Sequence, residues 1–308
     1  MTESYPSKAD DASIARRFLS RFLLPVGPAI YAGIMYAVGD LRVEHIAIAT
    51  GTLILGYASR WTRSILVAVA PGILILLGYD LMRYVRPLFV VPSRVLGCPV
   101  RDFDLSLFGV GPNLTLSDYF AIHHWLAADL YFAIPYTIFI VITLVYCVYL
   151  FHFDRARLSR YLWALALVHA MAFVVWLAMP VAPPWYIRAH GCTIIPGTLP
   201  DPAALGRLDR FFGIPYFYEF YVRAPDVFGA IPSLHCAFPA VGLFTAWRAA
   251  TWRTWPFHVL YLFSMFGASI YLGHHWTMDG LIACVMAAVA VLIVDAVMRW
   301  RSGAVAAQ

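Results

Sequence analysis

The sequence predicts an all-α integral membrane protein, a polytopic helical bundle of about eight spans, with six to eight as the range. Of its 308 residues, 62% are hydrophobic and only 13% are charged, whereas a soluble domain carries about a quarter charged residues. Several stretches of 17 residues or more are almost free of charge, as a helix that crosses the hydrocarbon layer requires. Alternating strand patterns do not occur in the sequence, which argues against a barrel.

The apolar stretches and the segments between them give the domain organisation. Two of the connecting loops, 82–128 and 181–232, are too long to be simple connections. The second and sixth candidate spans are short for a full crossing. The eight candidate spans are 23–39, 45–58, 65–81, 130–151, 161–180, 236–250, 257–273 and 279–299. We therefore expect a cytoplasmic tail over 1–22, N-terminal transmembrane helices over 23–84, an extracytoplasmic segment over 85–128, the main transmembrane core over 129–300 and a cytoplasmic tail over 301–308.

The distribution of arginine predicts the orientation. The net charge is +5, and the 22 cations are one Lys and 21 Arg. No basic cluster is interleaved with aromatic residues, so we expect no nucleic-acid partner. With the N-terminus inside, the short outside connections hold only Arg42. The short inside connections hold seven arginines, as the positive-inside rule requires: Arg60, Arg63, Arg155, Arg157, Arg160, Arg248 and Arg253. Both termini are then cytoplasmic, and the end of span five, the start of span six and the junction of spans seven and eight face outward.

Three motifs lie at those outward-facing positions: "MPVAPPWY" (179–186), "GAIPSLHCAFPA" (229–240) and "ASIYLGHHWTMDGL" (268–281). His275 and Asp279 are four residues apart, so on a helix they share a face and the carboxylate can hold the imidazole in one tautomer. Ser233 and His235 stand at a helix start, where free backbone N–H groups attract an anion. Two histidines and one aspartate suit phosphoryl transfer, in which one imidazole attacks and the other protonates the leaving oxygen.

Each motif also has a simpler interpretation. Pro-Ser before a helix is an ordinary N-cap signal, and an interfacial histidine is often only a polar residue near lipid head groups. The run from His274 and His275 to Asp279 has a spacing that also suits a metal ion. Because separate signals converge on one membrane face, we favour a catalytic site and expect neither a metal nor a cofactor.

The pair "PSLH" and "YLGHHWTMD" resembles the second and third signature motifs of the type 2 phosphatidic acid phosphatase superfamily, Pro-Ser-Gly-His and Ser-Arg-x5-His-x3-Asp. The resemblance covers roughly 130–300 and implies a six-helix-type lipid phosphatase or phosphotransferase core. It implies that His275 is the nucleophile that forms a phosphohistidine, that Asp279 orients it, and that His235 is the general acid and base. Tyr271 stands where the family often has the same residue.

The departures from the family pattern predict the charge of the substrate. The Ser-Arg pair of the third motif falls on Ala268 and Ser269, and the first motif, aligned on Pro180, would need Lys and Arg at Ala172 and Met179. All three phosphate-binding cations of the family are therefore missing. A phosphate monoester is close to a dianion near neutral pH and is best held by a clamp of cations. We therefore expect a singly charged phosphodiester substrate and head-group transfer.

"APPWY", "GAIPSLH" and "HHWTMD" together resemble the inositol phosphorylceramide synthase branch of the superfamily. This resemblance implies a membrane phosphotransferase that moves a phosphoinositol-like head group from a phospholipid donor to the hydroxyl of a lipid or glycolipid acceptor. The reaction would use a phosphohistidine at the extracytoplasmic leaflet. The near absence of Lys beside abundant Arg points to a GC-rich bacterial genome, and hence to a bacterial inner (plasma) membrane.

Further residues are expected to contact the substrate. His274 would contact head-group hydroxyls, and one of the arginines of the second long loop would replace the lost cations, with Arg223 nearest to the motif in sequence. The alternatives are an interfacial histidine, a solvated loop charge and, for the aromatic residues, a membrane-interface belt. The complete expected set of substrate-binding residues is Ser233, His274, Tyr271, Arg223 and Trp185, with Arg188, Arg207 and Arg210 as the other candidate cations.

Three other features carry smaller predictions. His169 lies within a span and is expected to be packed, hydrogen-bonded and neutral, and Asp295 is expected to pair with an arginine near the inner end of the last span. Cys98 and Cys192 fall in the two outward loops, where an oxidising compartment permits a bridge. The remaining cysteines lie within or beside spans and should stay free thiols: Cys147, Cys236 and Cys284.

Three alternative functions remain open. A lipid phosphatase, acting on phosphatidic acid or on a polyprenyl phosphate or diphosphate, would share every catalytic residue and would differ in using water to resolve the intermediate. A non-catalytic lipid-binding or scaffold protein would have no need of an intact pair of histidines with an aspartate. A transporter would need a polar path, and few charges lie within the spans. The sequence predicts no oligomeric state.

Overall fold

The computed structural model describes residues 19–224, 227–247 and 254–306. Within these residues the chain forms thirteen α-helices and no β-strand. The predicted tail 1–22 therefore lies largely outside the described residues, as do Arg248 and Arg253. The helices are α1 (Leu24–Ala37), α2 (Val43–Tyr57), α3 (Arg60–Phe89), α4 (Cys98–Phe108), α5 (Leu116–Ile122), α6 (Leu126–Phe153), α7 (Arg155–Ala178), α8 (Pro184–His190), α9 (Gly206–Phe212), α10 (Tyr216–Tyr221), α11 (Leu234–Ala246), α12 (Trp255–Tyr271) and α13 (Thr277–Ala306).

All eight predicted spans coincide with helices, namely α1, α2, α3, α6, α7, α11, α12 and α13. Four segments are long and apolar enough to cross a membrane by length and composition: Arg60–Phe89, Leu126–Phe153, Arg155–Ala178 and Thr277–Ser302. Helices α2 and α11 are apolar but shorter, in agreement with the two spans predicted to be short. The predicted fold class, an all-α membrane protein, is confirmed.

The chain divides into two compact units between Leu77 and Gly78. In the first unit α1 packs on α2. The Thr52 hydroxyl donates to the backbone carbonyl of Pro25 at 3.2 Å, and a Cβ at Gly56 would collide with the Pro25 ring. The small residue therefore permits the close approach of these two helices. The predicted boundaries of the tails, the loop segment and the core stay predictions.

Helix α11 lies at the centre of the second unit, packed against α13, α12, α7 and α6. Small side chains permit this close packing, as is usual between helices in a bilayer. Ala237, Ala240 and Ala246 are fully buried, and Thr245 donates its hydroxyl to the backbone carbonyl of Val241 at 2.7 Å. Helix α11 is buried or half-buried along its whole length. Its packing therefore fixes the position of the residues at its N-terminus.

An ion pair ties α7 to α13 at the end opposite the predicted motifs. Arg160 Nε lies 2.6 Å from Asp295 Oδ1, and Arg160 Nη2 lies 2.7 Å from Asp295 Oδ2. The predicted pairing of Asp295 with an arginine is confirmed. His169, deeper in α7, contacts the Leu165 carbonyl through Nδ1 at 2.7 Å and is buried, as expected of a packed histidine.

The two long loops fold together over the other end of the second unit, here called the motif end because it carries residues 179–186, 229–240 and 268–281. They contain the short helices α4, α5, α8, α9 and α10. A disulfide joins Cys98 to Cys192, whose Cα atoms are 5.4 Å apart, so the bridge that the sequence permitted is present. The other three cysteines are free thiols, as predicted.

Short extended segments bring the motifs side by side. The Val181 amide donates to the Phe228 carbonyl at 2.8 Å, and the Ala230 amide donates to the Val181 carbonyl at 3.3 Å. On the other side of the same segment, the Ala182 amide donates to the Leu96 carbonyl at 2.9 Å. The motif that ends span five is thus bonded to the motif that precedes α11.

Candidate active site

His275 and Asp279 occupy the junction between α12 and α13 and the first turn of α13. His275 Nδ1 lies 3.4 Å from Asp279 Oδ2, so the expected contact is present, but His275 precedes α13, which begins at Thr277, and the two residues therefore do not share a helix face. Asp279 is fully buried, and its Oδ2 also accepts a hydrogen bond from the Trp276 amide at 2.8 Å. This second bond holds the carboxylate at the start of α13, where negative charge is favoured.

A backbone carbonyl makes the shorter contact with the same imidazole. His275 Nδ1 lies 2.8 Å from the Ala230 carbonyl oxygen. Because a carbonyl only accepts hydrogen bonds, this contact assigns the hydrogen to Nδ1 and leaves the lone pair on Nε2. The role of Ala230 was not predicted, since a backbone acceptor carries no side-chain signal.

His235 lies beside His275, on the first turn of α11. The two imidazole centroids are 5.7 Å apart, with the rings inclined at 60°. The His235 ring stacks on Tyr136 at 4.0 Å and meets the edge of Phe139 at 4.9 Å. These two aromatic residues of α6 were not predicted, because aromatic residues in an apolar span are most often only core or lipid-facing.

Ser233 is the N-cap of α11. Its hydroxyl accepts a hydrogen bond from the Cys236 amide at 3.4 Å, and its own amide donates to the backbone carbonyl of Asp279 at 3.2 Å. The residue is fully buried. The structure therefore uses Ser233 to join the starts of α11 and α13, which brings His235 and His275 together.

A carboxylate from the first long loop caps α13. Asp104 on α4 is buried, and its Oδ1 accepts a hydrogen bond from the Met278 amide at 3.0 Å. Burial raises the pKa of the Asp104 carboxyl, against the lowering effect of the hydrogen bonds from Met278 and Thr277. Asp104 was not predicted, because nothing in a loop pattern indicates which distant helix a carboxylate caps.

His274 is enclosed by two tyrosine rings. Tyr136 stacks on it at 5.3 Å and Tyr221, from α10, at 4.7 Å. Burial and the neighbouring His275 lower the pKa of His274 to about 3, although a hydrogen bond to the Pro202 backbone opposes the shift. Among the described residues, its buried Nε2 has no hydrogen-bond partner. A neutral imidazole with an unused acceptor nitrogen is suited to receive a hydroxyl hydrogen.

Three arginines line one pocket beside this centre. The pocket has a volume of about 400 Å³ and is bounded by α8 and α9. Trp185 and Tyr271, both predicted to contact substrate, belong to its lining together with the three arginines and one histidine: Arg188, Arg207, Arg210 and His124. Arg223 lies outside this lining: it is exposed, and its backbone carbonyl accepts from Arg83 Nη2 at 2.9 Å.

The positions of the missing family cations are largely filled by core packing. Ala172 and Ser269 are fully buried, whereas Met179 is 40% exposed. The Ser269 hydroxyl donates to the Phe266 carbonyl at 2.8 Å. Within the described residues, no group of three or more His, Cys, Asp or Glu side chains is placed to hold a metal ion. The Arg188 guanidinium of the second long loop lies against Gly273, next to His274.

The fold and the site define a class of protein: a helical membrane protein with two adjacent histidines, one of them oriented by a carbonyl and a carboxylate. The family model described as the PAP2 superfamily matches residues 103–293. The chain belongs to the PAP2 superfamily.

Its relatives are lipid enzymes. The phosphoinositol dihydroceramide synthase of Bacteroides thetaiotaomicron is 33% identical over 248 residues, which are 79% of this chain and 80% of the relative. The inositol phosphorylceramide synthase of Candida albicans is 30% identical over 120 residues, 38% of this chain and 25% of the relative. A catalytic subunit of the same synthase from Schizosaccharomyces pombe is 30% identical over 110 residues, 34% and 25% of the two chains. No solved structure matches the chain. The protein is thus an enzyme of the lipid phosphotransferase class.

Proposed function

We propose that this protein transfers a phosphoinositol head group from a phospholipid to the hydroxyl of a lipid or glycolipid acceptor, through a phosphohistidine on His275. The observation that carries the proposal is the 2.8 Å contact between His275 Nδ1 and the Ala230 carbonyl oxygen, since it leaves Nε2 with a lone pair for attack. The relatives suggest the head group, because they are a phosphoinositol dihydroceramide synthase and inositol phosphorylceramide synthases.

In the first step, His275 Nε2 attacks the phosphorus of the donor and a nitrogen–phosphorus bond forms. The bond between phosphorus and the oxygen of the diacylglycerol breaks, and His235 gives that oxygen a proton. Asp279 and the Ala230 carbonyl balance the positive charge that develops on the attacking imidazole. The head group then remains on His275 as a phosphodiester-like adduct with nitrogen.

In the second step, the acceptor hydroxyl attacks phosphorus while the nitrogen–phosphorus bond breaks. His235 takes the hydroxyl proton and returns to its starting state. The 5.7 Å separation of the two ring centroids supports these alternating roles, because one phosphorus atom with its entering or leaving oxygen must reach both imidazoles. His274 accepts a hydrogen bond from a head-group hydroxyl through its unpartnered Nε2.

The site is assigned to the extracytoplasmic side of the plasma membrane, with both termini in the cytoplasm. Two features support this side. The disulfide between Cys98 and Cys192 belongs to the loops at the motif end, and disulfides persist in oxidising compartments. The arginines that follow α6, including Arg155 and Arg160, lie at the opposite end, as the positive-inside rule requires of a cytoplasmic end.

A lipid phosphatase remains the second candidate, because water could replace the acceptor alcohol in the second step. The experiment that separates the two incubates the full-length protein in detergent with phosphatidylinositol carrying a labelled head group, with and without ceramide as acceptor. A new phosphodiester lipid is expected only with wild type and acceptor. His275→Gln should give none, and the exposed His123, outside the centre, supplies the control His123→Gln. Release of inositol phosphate at the same rate with and without acceptor would reject transfer.

A further inference from the structure

We propose that the pocket between α8 and α9 binds a phosphorylated polyol, with Arg188 and Arg207 holding its phosphate. For the identity of the ligand this inference rests on the proposed function, because the polyol would be the transferred head group. The pocket itself is defined by its own residues, by the carboxylates that fix its arginines and by its position against the backbone that carries the two adjacent histidines.

Arg207 is held in place by Asp129. Its Nε lies 3.0 Å from Oδ1 of the carboxylate, and its Nη2 lies 2.5 Å from the same oxygen. The Tyr271 hydroxyl donates to this carboxylate at 2.8 Å as well. Asp129 is buried, so the guanidinium is fixed before any ligand enters. No hydrogen bond to the remaining amino group, Nη1, occurs among the described residues.

Arg188 is fixed from the other side of the pocket. Its Nη1 lies 3.1 Å from the Ser117 hydroxyl and 3.3 Å from Asp118 Oδ1. Burial lowers the pKa of the Arg188 guanidinium and Arg207 adds to this lowering, whereas Asp118 opposes it. Each guanidinium is paired with a carboxylate, Arg188 with Asp118 and Arg207 with Asp129, and an anion placed between the two guanidinium groups would reduce their mutual repulsion.

The charge and the walls of the pocket define the ligand class. Three arginines face two carboxylates, Asp118 and Asp129, so the pocket retains positive charge. Guanidinium groups match the geometry of phosphate oxygens. Trp185 and Tyr271 add aromatic surface to the lining. A small polyol ring that bears one phosphate fits this lining, because its phosphate can contact the arginines and its ring can pack on Trp185 and Tyr271.

Two residues of the pocket lining, Trp185 and Ala204, are hydrogen-bonded to the backbone segment that precedes the adjacent histidines. The Trp185 amide donates to the Gly273 carbonyl at 3.0 Å, and the Ala204 amide donates to the Leu272 carbonyl at 3.1 Å. The Arg188 guanidinium packs against Gly273, where a Cβ would collide with it. The Arg188 guanidinium thus stands next to His274 and adds positive charge there.

The test measures binding rather than turnover, on the full-length protein in detergent. Inositol 1-phosphate, inositol and inorganic phosphate are titrated by calorimetry into wild type and into His275→Gln, which cannot form the adduct. Wild type should bind inositol 1-phosphate at least tenfold more tightly than either other compound. Arg188→Gln and Arg207→Gln should each weaken the binding of inositol 1-phosphate by about ten- to a hundredfold. Arg299→Gln, an exposed arginine at the opposite end, should leave the affinity unchanged.

Removal of Arg207 leaves Asp129 buried without its partner, so the double variant Arg207→Gln with Asp129→Asn is measured in parallel. Arg207→Lys keeps the charge but loses the two-pronged hydrogen bonding of the guanidinium, so an intermediate loss of affinity is expected. Equal affinity for inositol and its phosphate, equal affinity for inorganic phosphate and inositol 1-phosphate, or wild-type binding by both arginine variants would overturn the proposal. Retained binding without any transfer would reject the proposed function and leave the pocket assignment standing.

Discussion

Nδ1 of His275 lies closer to the Ala230 carbonyl oxygen, at 2.8 Å, than to the Asp279 carboxylate, at 3.4 Å. The imidazole is therefore oriented by two acceptors, one from the backbone before α11 and one from the first turn of α13. Because the carbonyl alone suffices to fix the tautomer, the main effect of the carboxylate is to stabilise positive charge on the His275 imidazole.

This arrangement predicts unequal effects of substitution. Asp279→Asn should lower kcat by about ten- to a hundredfold, less than the roughly 10⁴-fold loss seen where an aspartate alone sets the tautomer. His275→Gln and His235→Gln should lower it by more than 10³-fold. Steady-state rates with labelled phosphatidylinositol check this, and Asp102→Asn, an exposed position, is the matched control. A loss for Asp279→Asn as large as that for His275→Gln would contradict the role of Ala230.

The low pKa of His274, about 3, predicts a dependence of stability on pH. Since an ordinary histidine in the unfolded chain has a pKa of about 6.5, the unfolded state binds more protons between these two values. Stability contributed by neutral His274 is then present above pH 6.5 and is lost as the pH falls towards 3. Thermal unfolding at pH 7 and pH 5 should show a larger loss for wild type than for His274→Phe, which keeps the aromatic stack. Identical losses would reject this assignment.

The disulfide between Cys98 and Cys192 closes a loop with a sequence separation of 94 residues. A cross-link of this kind typically contributes about 2–4 kcal/mol, so Cys98→Ser should lower the Tm by about 5–10 °C. Cys147→Ser, at a free thiol, is the control. The expected difference should disappear when both proteins are fully reduced. A reduced wild type with an unchanged Tm would show that the bridge does not stabilise the loops.

The substrate charge gives a further prediction. Because the family cations are replaced by Ala172, Met179 and Ser269, turnover of phosphatidylinositol should exceed that of phosphatidic acid by a few powers of ten, at about 1.5–3 kcal/mol for each lost charged hydrogen bond. Both lipids are compared in the same micelles. Faster hydrolysis of phosphatidic acid than of any diester would support the phosphatase alternative.

Activity should also survive strong chelation, because the nucleophile in this mechanism is a side chain of the protein itself. The measurement is the transfer rate after dialysis against EDTA, with and without added Zn²⁺ or Mg²⁺. Loss of activity on chelation and rescue by Zn²⁺ would instead favour the metal-binding interpretation of His274, His275 and Asp279.

The class of protein and the positions of the candidate reacting groups along the chain could be predicted from the sequence. Apolar length identified eight of the thirteen described helices, and the four-residue spacing of His275 and Asp279 indicated that the two side chains lie close together, although His275 precedes α13. These features are local, since hydropathy acts within one span and a separation of four residues keeps two side chains near each other. Such local rules hold before any tertiary packing is known.

Only the tertiary structure decided which distant groups meet. The Ala230 carbonyl is 45 residues from His275, and Arg207 reaches Asp129 across 78 residues. The sequence ranked Arg223 first by proximity, but the fold of the second loop places Arg188 and Arg207 in the pocket instead. No local periodicity relates residues on different loops, because their contacts depend on how the loops pack over the bundle and on the disulfide that joins them.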